Sequence, residues 1–184
     1  VILMLRSQQR REHNRRIHGL DRMDPATGLI NNHVFQERLV RLMGRAQRLR
    51  SQSAVLLVDI VNIEQLRRDF DRRAAEELPL RVAGRLLSAA REIDSVARLS
   101  EHRFGILVEG PLSAEEAAAA GPRVVARCLM PFKNKPLDWV AQVRVAQTLV
   151  PSDANTDPAR VLERLERLLA NVPADSKRAV FTLK

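Results

Sequence analysis

Asp59 interrupts an otherwise apolar run near its end, Val55-Leu56-Leu57-Val58-Asp59-Ile60, and a carboxylate in that place can hold a divalent cation. A polar island, Ser100-Glu101-His102-Arg103, separates two further apolar runs, Val96–Leu99 and Phe104–Val108. That is the pattern of a β-hairpin with an exposed turn. If the Asp59 strand pairs with the hairpin, Asp59 meets the turn, and any chemistry of the domain sits there. His102 with Asp59 and Glu101 could in principle ligate zinc, but no second histidine stands at a metal spacing. His13, His18 and His33 fall in the N-terminal segment and the first helix, and Cys128 is remote in sequence. No metal is expected on this reading.

The elements that must position these residues are legible from periodicity. Asp24-Pro25-Ala26-Thr27-Gly28-Leu29 is a break, because proline disfavours helix at the preceding residue and Gly28 marks a turn. Phe35, Leu39, Leu42, Met43, Ala46 and Leu49 form one apolar stripe among arginines, predicting an amphipathic helix from Asn31 to about Arg50. The Asp59 strand follows, continuous in apolarity as a strand covered on both faces would be. Leu78, Val82 and Leu86 then predict a helix, and Pro79 within it sets the expected start near Ala75 to Glu77, since proline is best tolerated in a first turn. After the hairpin, Ala114 to Met130 reads as a helix interrupted at Gly121-Pro122, and Val143 and Val145 alternate in a strand. Asp157-Pro158 starts a last helix with Val161, Leu162, Leu165, Leu168 and Leu169 on its buried face, and Ala179 to Leu183 is a closing strand. The order β-α-β-β-α-β, with an extra helix and strand, predicts a ferredoxin-like α/β sandwich over residues 24–184.

Residues 1–23 read as a linker helix, with Ile17, Leu20 and Met23 at helical spacing. Val1-Ile2-Leu3-Met4-Leu5 followed by Arg6, Arg10, Arg11, Arg15 and Arg16 fits the last turn of a membrane-spanning helix with its basic cytoplasmic flank; a dimerising helix fits as well. The expected location is cytoplasmic, as the cytoplasmic part of an inner-membrane protein if a spanning segment precedes. One cysteine excludes an intramolecular disulfide, and Cys128 among Val124, Val125 and Leu129 reads as a buried small hydrophobe. The 31 Lys and Arg against 22 Asp and Glu give a net charge of +9, which admits an anionic partner. With aromatics at 3% and no tyrosine, a base-stacking surface is poorly supported, so no specific nucleic acid is expected.

The order of elements and the strings inside it resemble the GGDEF domain of diguanylate cyclases, which condense two GTP into cyclic di-GMP. Asp24-Pro25-Ala26-Thr27-Gly28-Leu29-Ile30-Asn31-Asn32, with Phe35, is similar to the family's opening motif D-x-L-T-G-L-x-N-R-x-x-F. In one ungapped register, Asp59 falls on the family's first metal-binding aspartate, and Asp94, Arg98 and Phe104 fall where the family has its aspartate before the strand, the arginine ahead of the signature and the signature's final phenylalanine. The signature G-G-D/E-E-F is here Ser100-Glu101-His102-Arg103-Phe104. By the same comparison Glu64 and Pro173 stand where the family has phosphate-facing lysines, Lys177 keeps a basic residue, and Arg67 and Glu76 replace the asparagine and aspartate that read guanine.

What the resemblance implies is a degenerate domain. A two-metal condensation needs carboxylates against the triphosphate and cation charges. A guanidinium about 4 Å from a cation site opposes binding by about 4 kcal/mol at an effective dielectric of about 20. Asp59 is therefore expected to be a residual carboxylate paired with Arg103, magnesium is not expected, and no catalytic residue is assigned. The feature that survives is Arg91-Glu92-Ile93-Asp94, which resembles the family's R-x-x-D inhibitory site for cyclic di-GMP and stands at its usual distance before the signature. Arg68-Asp69-Phe70-Asp71 has the same spelling, and an arginine at a helix end with an aspartate capping the next turn is the competing account. Three readings stay open: a regulatory module, dimeric or joined to sensor and output domains; a weak or altered diguanylate cyclase; and a structural dimerisation or basic nucleic-acid-binding domain.

Overall fold

The computed structural model describes residues 9–10, 22–153 and 156–184. The linker helix expected over residues 1–23 therefore lies almost wholly outside the described residues. The elements run β1 (Ile30–Asn31), α1 (Asn32–Arg48), β2 (Ser53–Ile60), α2 (Ile63–Asp69), α3 (Arg72–Ala89), β3 (Ser95–Arg98), β4 (Arg103–Val108), α4 (Ala114–Leu129), β5 (Val143–Val150), α5 (Pro158–Ala170) and β6 (Val180–Thr182). They build one six-stranded sheet in the order β1-β3-β4-β2-β5-β6. The inner four strands pair antiparallel, which is the βαββαβ sandwich, and β1 and β6 add parallel edges.

Alternation along the strands splits the core into two layers. Leu56, Val58, Phe104 and Ile106 face α2, α3 and α4, whereas Val55, Leu57, Leu107 and Ala146 face α1 and α5. β2 is buried along nearly its whole length, as its continuous apolarity requires. Phe35 of α1 lies so close over β4 that a Cβ on Gly105 would stand 2.7 Å from its ring, so the helix seats on the sheet only because position 105 is glycine. Cys128 is fully buried, and burial pushes its thiol up to about 11, partly countered by Arg85. Among the described residues no helix is long and apolar enough to cross a membrane.

Two expectations about proline are corrected. α3 starts at Arg72, about a turn earlier than Pro79 suggested, because the Asp71 carboxylate caps it by accepting from the Ala74 N–H at 2.7 Å. Pro79 sits in the helix interior, where it removes a bond to the Ala75 carbonyl, and its ring is buried beside Leu78 and Val82. α4 is likewise continuous through Gly121-Pro122. Pro122 offers no N–H to the Ala118 carbonyl, and the buried Gln147 of β5 supplies one in its place, Nε2 donating to that carbonyl at 3.0 Å. The same amide accepts the Gly121 N–H on Oε1 at 2.8 Å. The short helix α2 and the two-residue β1 were not expected from the sequence.

Candidate functional site

Asp59 is the last residue of β2 to face the α1–α5 layer, and the ladder sets it opposite Arg103 of β4 on one side and Arg144 of β5 on the other. The Arg103 guanidinium engages both carboxylate oxygens, Nε donating at 2.6 Å and Nη2 at 2.9 Å. The pair is about three-quarters buried. The Asp59 hydrogen bonds raise the Arg103 pKa above its ordinary value, against partial burial and with help from the Asp59 and Glu166 charges. Arg144 turns to the loop after α5 and donates to the Ala174 carbonyl at 3.0 Å.

The turn that carries Arg103 is held from below by the opening motif. The Asp24 carboxylate accepts from the Thr27 N–H at 2.9 Å and hydroxyl at 2.6 Å, and from Arg98 at 3.2 Å. Arg98 in turn donates to the Glu101 carbonyl at 2.9 Å, so motif, strand end and turn form one chain of bonds. Burial pushes the Asp24 carboxyl up, but the Thr27 and Arg98 donors outweigh it and hold the carboxyl below its usual range. Gly28 adopts φ +73°, closing the loop after Thr27 in the left-handed region that glycine permits. Sequence comparison placed Asp24, Thr27 and Arg98 in a motif without showing this role.

Ser100 and Glu101 are exposed on the turn, and Phe104 is fully buried in the core. The His102 carbonyl accepts from the Ile60 N–H at 3.0 Å, while its Nδ1 is buried without a hydrogen-bond partner in the structure. Among the described residues no three His, Cys, Asp or Glu side chains converge as a cation site. With both Asp59 oxygens on Arg103, the residues present do not fit a magnesium pair. The positions compared with guanine readers are tied locally: Arg67 pairs with Glu64 within α2, and Arg72 donates to Glu76 at 2.9 Å within α3. Pro173 and Lys177 are exposed in the loop before β6.

Arg91 and Asp94 come together at the end of α3. Arg91 donates to Asp94 from Nε at 3.1 Å and Nη2 at 3.0 Å, and its backbone N–H donates to the same carboxylate at 3.0 Å. Asp94 is only 5% exposed and also accepts the Glu109 N–H at 3.0 Å, stitching the α3–β3 turn to the end of β4. Arg91 is 52% exposed. Both line a cavity of about 310 Å³ between the C-terminal end of α3 and α4, floored by Leu56, Ile106 and Val108 and flanked by Glu116 and Arg123. Glu116 and Arg123 were not singled out from the sequence, because nothing local links α4 to the end of α3. The second tetrad makes no such pair: Arg68 lies in α2 and Asp71 caps α3.

A fold of this topology, with this motif chain, has known relatives. Residues 21–178 match the family model described as diguanylate cyclase, GGDEF domain. The chain belongs to the GGDEF family. Diguanylate cyclase TpbB of Pseudomonas aeruginosa is 28% identical over 140 residues, covering 76% of this chain but 32% of TpbB. The chain thus spans about a third of that relative's length. The structure of the GGDEF domain alone of TpbB superposes with a TM-score of 0.78 at 23% identity, covering 88% of this chain and 94% of that one. The coiled coil and GGDEF domain of DgcB from Caulobacter crescentus, solved in complex with c-di-GMP, gives a TM-score of 0.77 at 15% identity over 98% and 95% of the two chains.

Proposed function

We propose that this GGDEF domain is a regulatory module of cyclic di-GMP signalling that does not synthesise the nucleotide and instead binds it beside Arg91 and Asp94. The observation that carries the first half is the bidentate Arg103–Asp59 pair, which occupies the one carboxylate left at the metal position. On this reading the domain uses no magnesium, and no catalytic residue is assigned. Support for the second half is the partly exposed Arg91, oriented by the buried Asp94 on the rim of a cavity with an apolar floor. Arg91 Nε and Nη2 hold Asp94 and the Glu109 carbonyl, which leaves Nη1 to donate to the O6 and N7 acceptors of a guanine, and Arg123 lies across the same opening. The DgcB relative solved with c-di-GMP supports the ligand class. By the length of its relatives, the module works as the cytoplasmic part of a longer signalling protein, paired with itself or with sensor and output domains.

Two assays test this reading. Protein with GTP and magnesium or manganese is expected to give no cyclic di-GMP, and restoring the turn through Ser100→Gly, Glu101→Gly, His102→Asp and Arg103→Glu is expected not to suffice while Glu64, Arg67 and Pro173 remain. Product that disappears in Asp59→Asn would overturn inactivity. Titration calorimetry with cyclic di-GMP is expected to show binding weakened about tenfold or more by Arg91→Ala and left intact by Arg68→Ala. No heat from the native chain would leave Arg91 and Asp94 as a structural clamp.

A further inference from the structure

β6 is an edge of the sheet, paired with β5 on one side and with no strand on the other among the described residues. In this parallel ladder the Val145 N–H donates to the Ala179 carbonyl and the Leu183 N–H to the Gln147 carbonyl. Ala179, Phe181 and Leu183 thus bond inward, and the N–H and C=O groups of Val180 and Thr182 turn outward, where no partner among the described residues meets them. Beside this edge lies a cavity of about 280 Å³ walled by Ala114, Ala117 and Ala118 of α4 and by Thr148, Thr182 and Leu183. Lys184 is the one charged residue of its lining. Lys177 and Arg178, the latter over the Phe181 ring, stand at the other end of the strand. All three cations are exposed, and among the described residues none of them is paired with an acid.

A row of open N–H and C=O groups is a template for one more strand. Charge decides which strand it takes. A second copy of β6 laid antiparallel about Phe181 would set Arg178 opposite Lys184 at both ends of the pairing, and like charges directly opposite repel. An acidic strand meets the same two cations favourably. Residues paired across a ladder share a face, and Thr182 is held on the α4 face by Gln147, whose Nε2 donates to its hydroxyl at 3.2 Å. A residue opposite Thr182 therefore projects beside the alanines of α4, into the cavity. We infer that the free edge of β6 and this cavity dock an extended acidic segment of a partner protein, which adds a strand to the sheet and sets one aliphatic side chain against Ala114 and Ala118. Main-chain pairing supplies affinity, and the cavity with its flanking cations supplies selectivity. α4 stands between this cavity and the one beside Arg91, so the docking does not depend on the nucleotide reading.

Fluorescence anisotropy of a labelled peptide, Glu-Thr-Leu-Thr-Val-Thr-Glu, titrated with the full chain tests it. In antiparallel register its glutamates fall opposite Lys184 and Arg178 and its leucine opposite Thr182. Saturable binding in the micromolar range is expected, weakened about tenfold or more when lysines replace both glutamates of the peptide. Thr182→Pro removes an outward N–H that the β5 ladder does not use, so the fold should stay and binding should fall about tenfold. Ala118→Leu fills the cavity from an exposed helix position and should abolish binding. Arg178→Glu should weaken it, whereas Arg41→Glu, the same change of charge on α1, should leave it unchanged. The Val180 and Thr182 amide protons should exchange more slowly with the peptide bound. No saturable binding at millimolar peptide, equal binding of the lysine peptide, or indifference to Thr182→Pro and Ala118→Leu overturns the proposal. So does a dimer in sedimentation velocity that Thr182→Pro abolishes, since the edge would then belong to a second copy. Calorimetry with cyclic di-GMP on the Ala118→Leu protein should still report the binding of the native chain, so failure of one proposal leaves the other readable.

Discussion

Arg103 and Asp59 face each other across the β2–β4 ladder and share two hydrogen bonds, so an acid that could hold a cation is closed by the residue opposite it. The pairing is local in the fold although the residues are 44 apart in sequence. Because sheet partners are fixed by register, moving Arg103 off Asp59 would require a new rotamer rather than a new fold.

Asp59→Ala should destabilise the domain by about 1 to 2 kcal/mol, the range for a charge-assisted bidentate bond that is partly shielded from water. Most of that cost would be the largely buried guanidinium left without an acceptor. Arg103→Met, which keeps the stem and removes the charge, should cost less than Arg103→Ala. Urea denaturation of the variants, singly and with Asp59→Ala in a double-mutant cycle, measures the coupling.

The Asp24 carboxyl titrates below its unfolded value, and this fixes the sign of a pH effect. Its contribution to stability is fully present above the unfolded pKa of about 3.9 and is lost as pH falls through the lower folded value. The stability difference between the native chain and Asp24→Asn should therefore be constant from neutral pH down to about pH 4 and shrink in more acid solution. A difference that stays flat through the acid range would mean that the Thr27 and Arg98 bonds do not depend on the charge.

Gly121 and Gly84 should respond oppositely to alanine. At Gly121 a Cβ would stand 2.6 Å from Gln147 Oε1 and 2.8 Å from Val180 Cγ1, so Gly121→Ala should destabilise by about 1 to 3 kcal/mol despite better helix propensity. At Gly84, open to solvent, the same change should stabilise by up to about 1 kcal/mol. Thermal unfolding of both variants compares them directly.

What the sequence made legible followed from periodicity and from strings with a fixed register. The strand ending at Asp59, the hairpin around Ser100 to Arg103 and the apolar face of α5 were all readable, because each is specified by residues close together in the chain. α2 was not, since only Ile63 and Leu66 face the core among charged residues, and β1 is a strand only through its pairing with β3. The prolines misled for a different reason. Local rules say what Pro79 and Pro122 forbid, and they cannot see that burial or a strand residue such as Gln147 will compensate. The contacts that tie Asp94 to Glu109, and Arg98 to Asp24, are equally invisible until the chain is folded.

The Gln147 amide has a consequence for motion. A helix normally owns its hydrogen-bond ladder and can pull away from a sheet as a rigid rod, losing only packing. Here a rung of α4 is borrowed from β5, through the Ala118 carbonyl and the Gly121 N–H. Lifting α4 from the sheet would strip the Ala118 carbonyl and the Gly121 N–H of the Gln147 partner at mid-helix, which couples the opening of helix and strand. Amide protons in the central turns of α4 and in β5 should then exchange in one cooperative event, and a signal relayed through this layer would move the two as a single body.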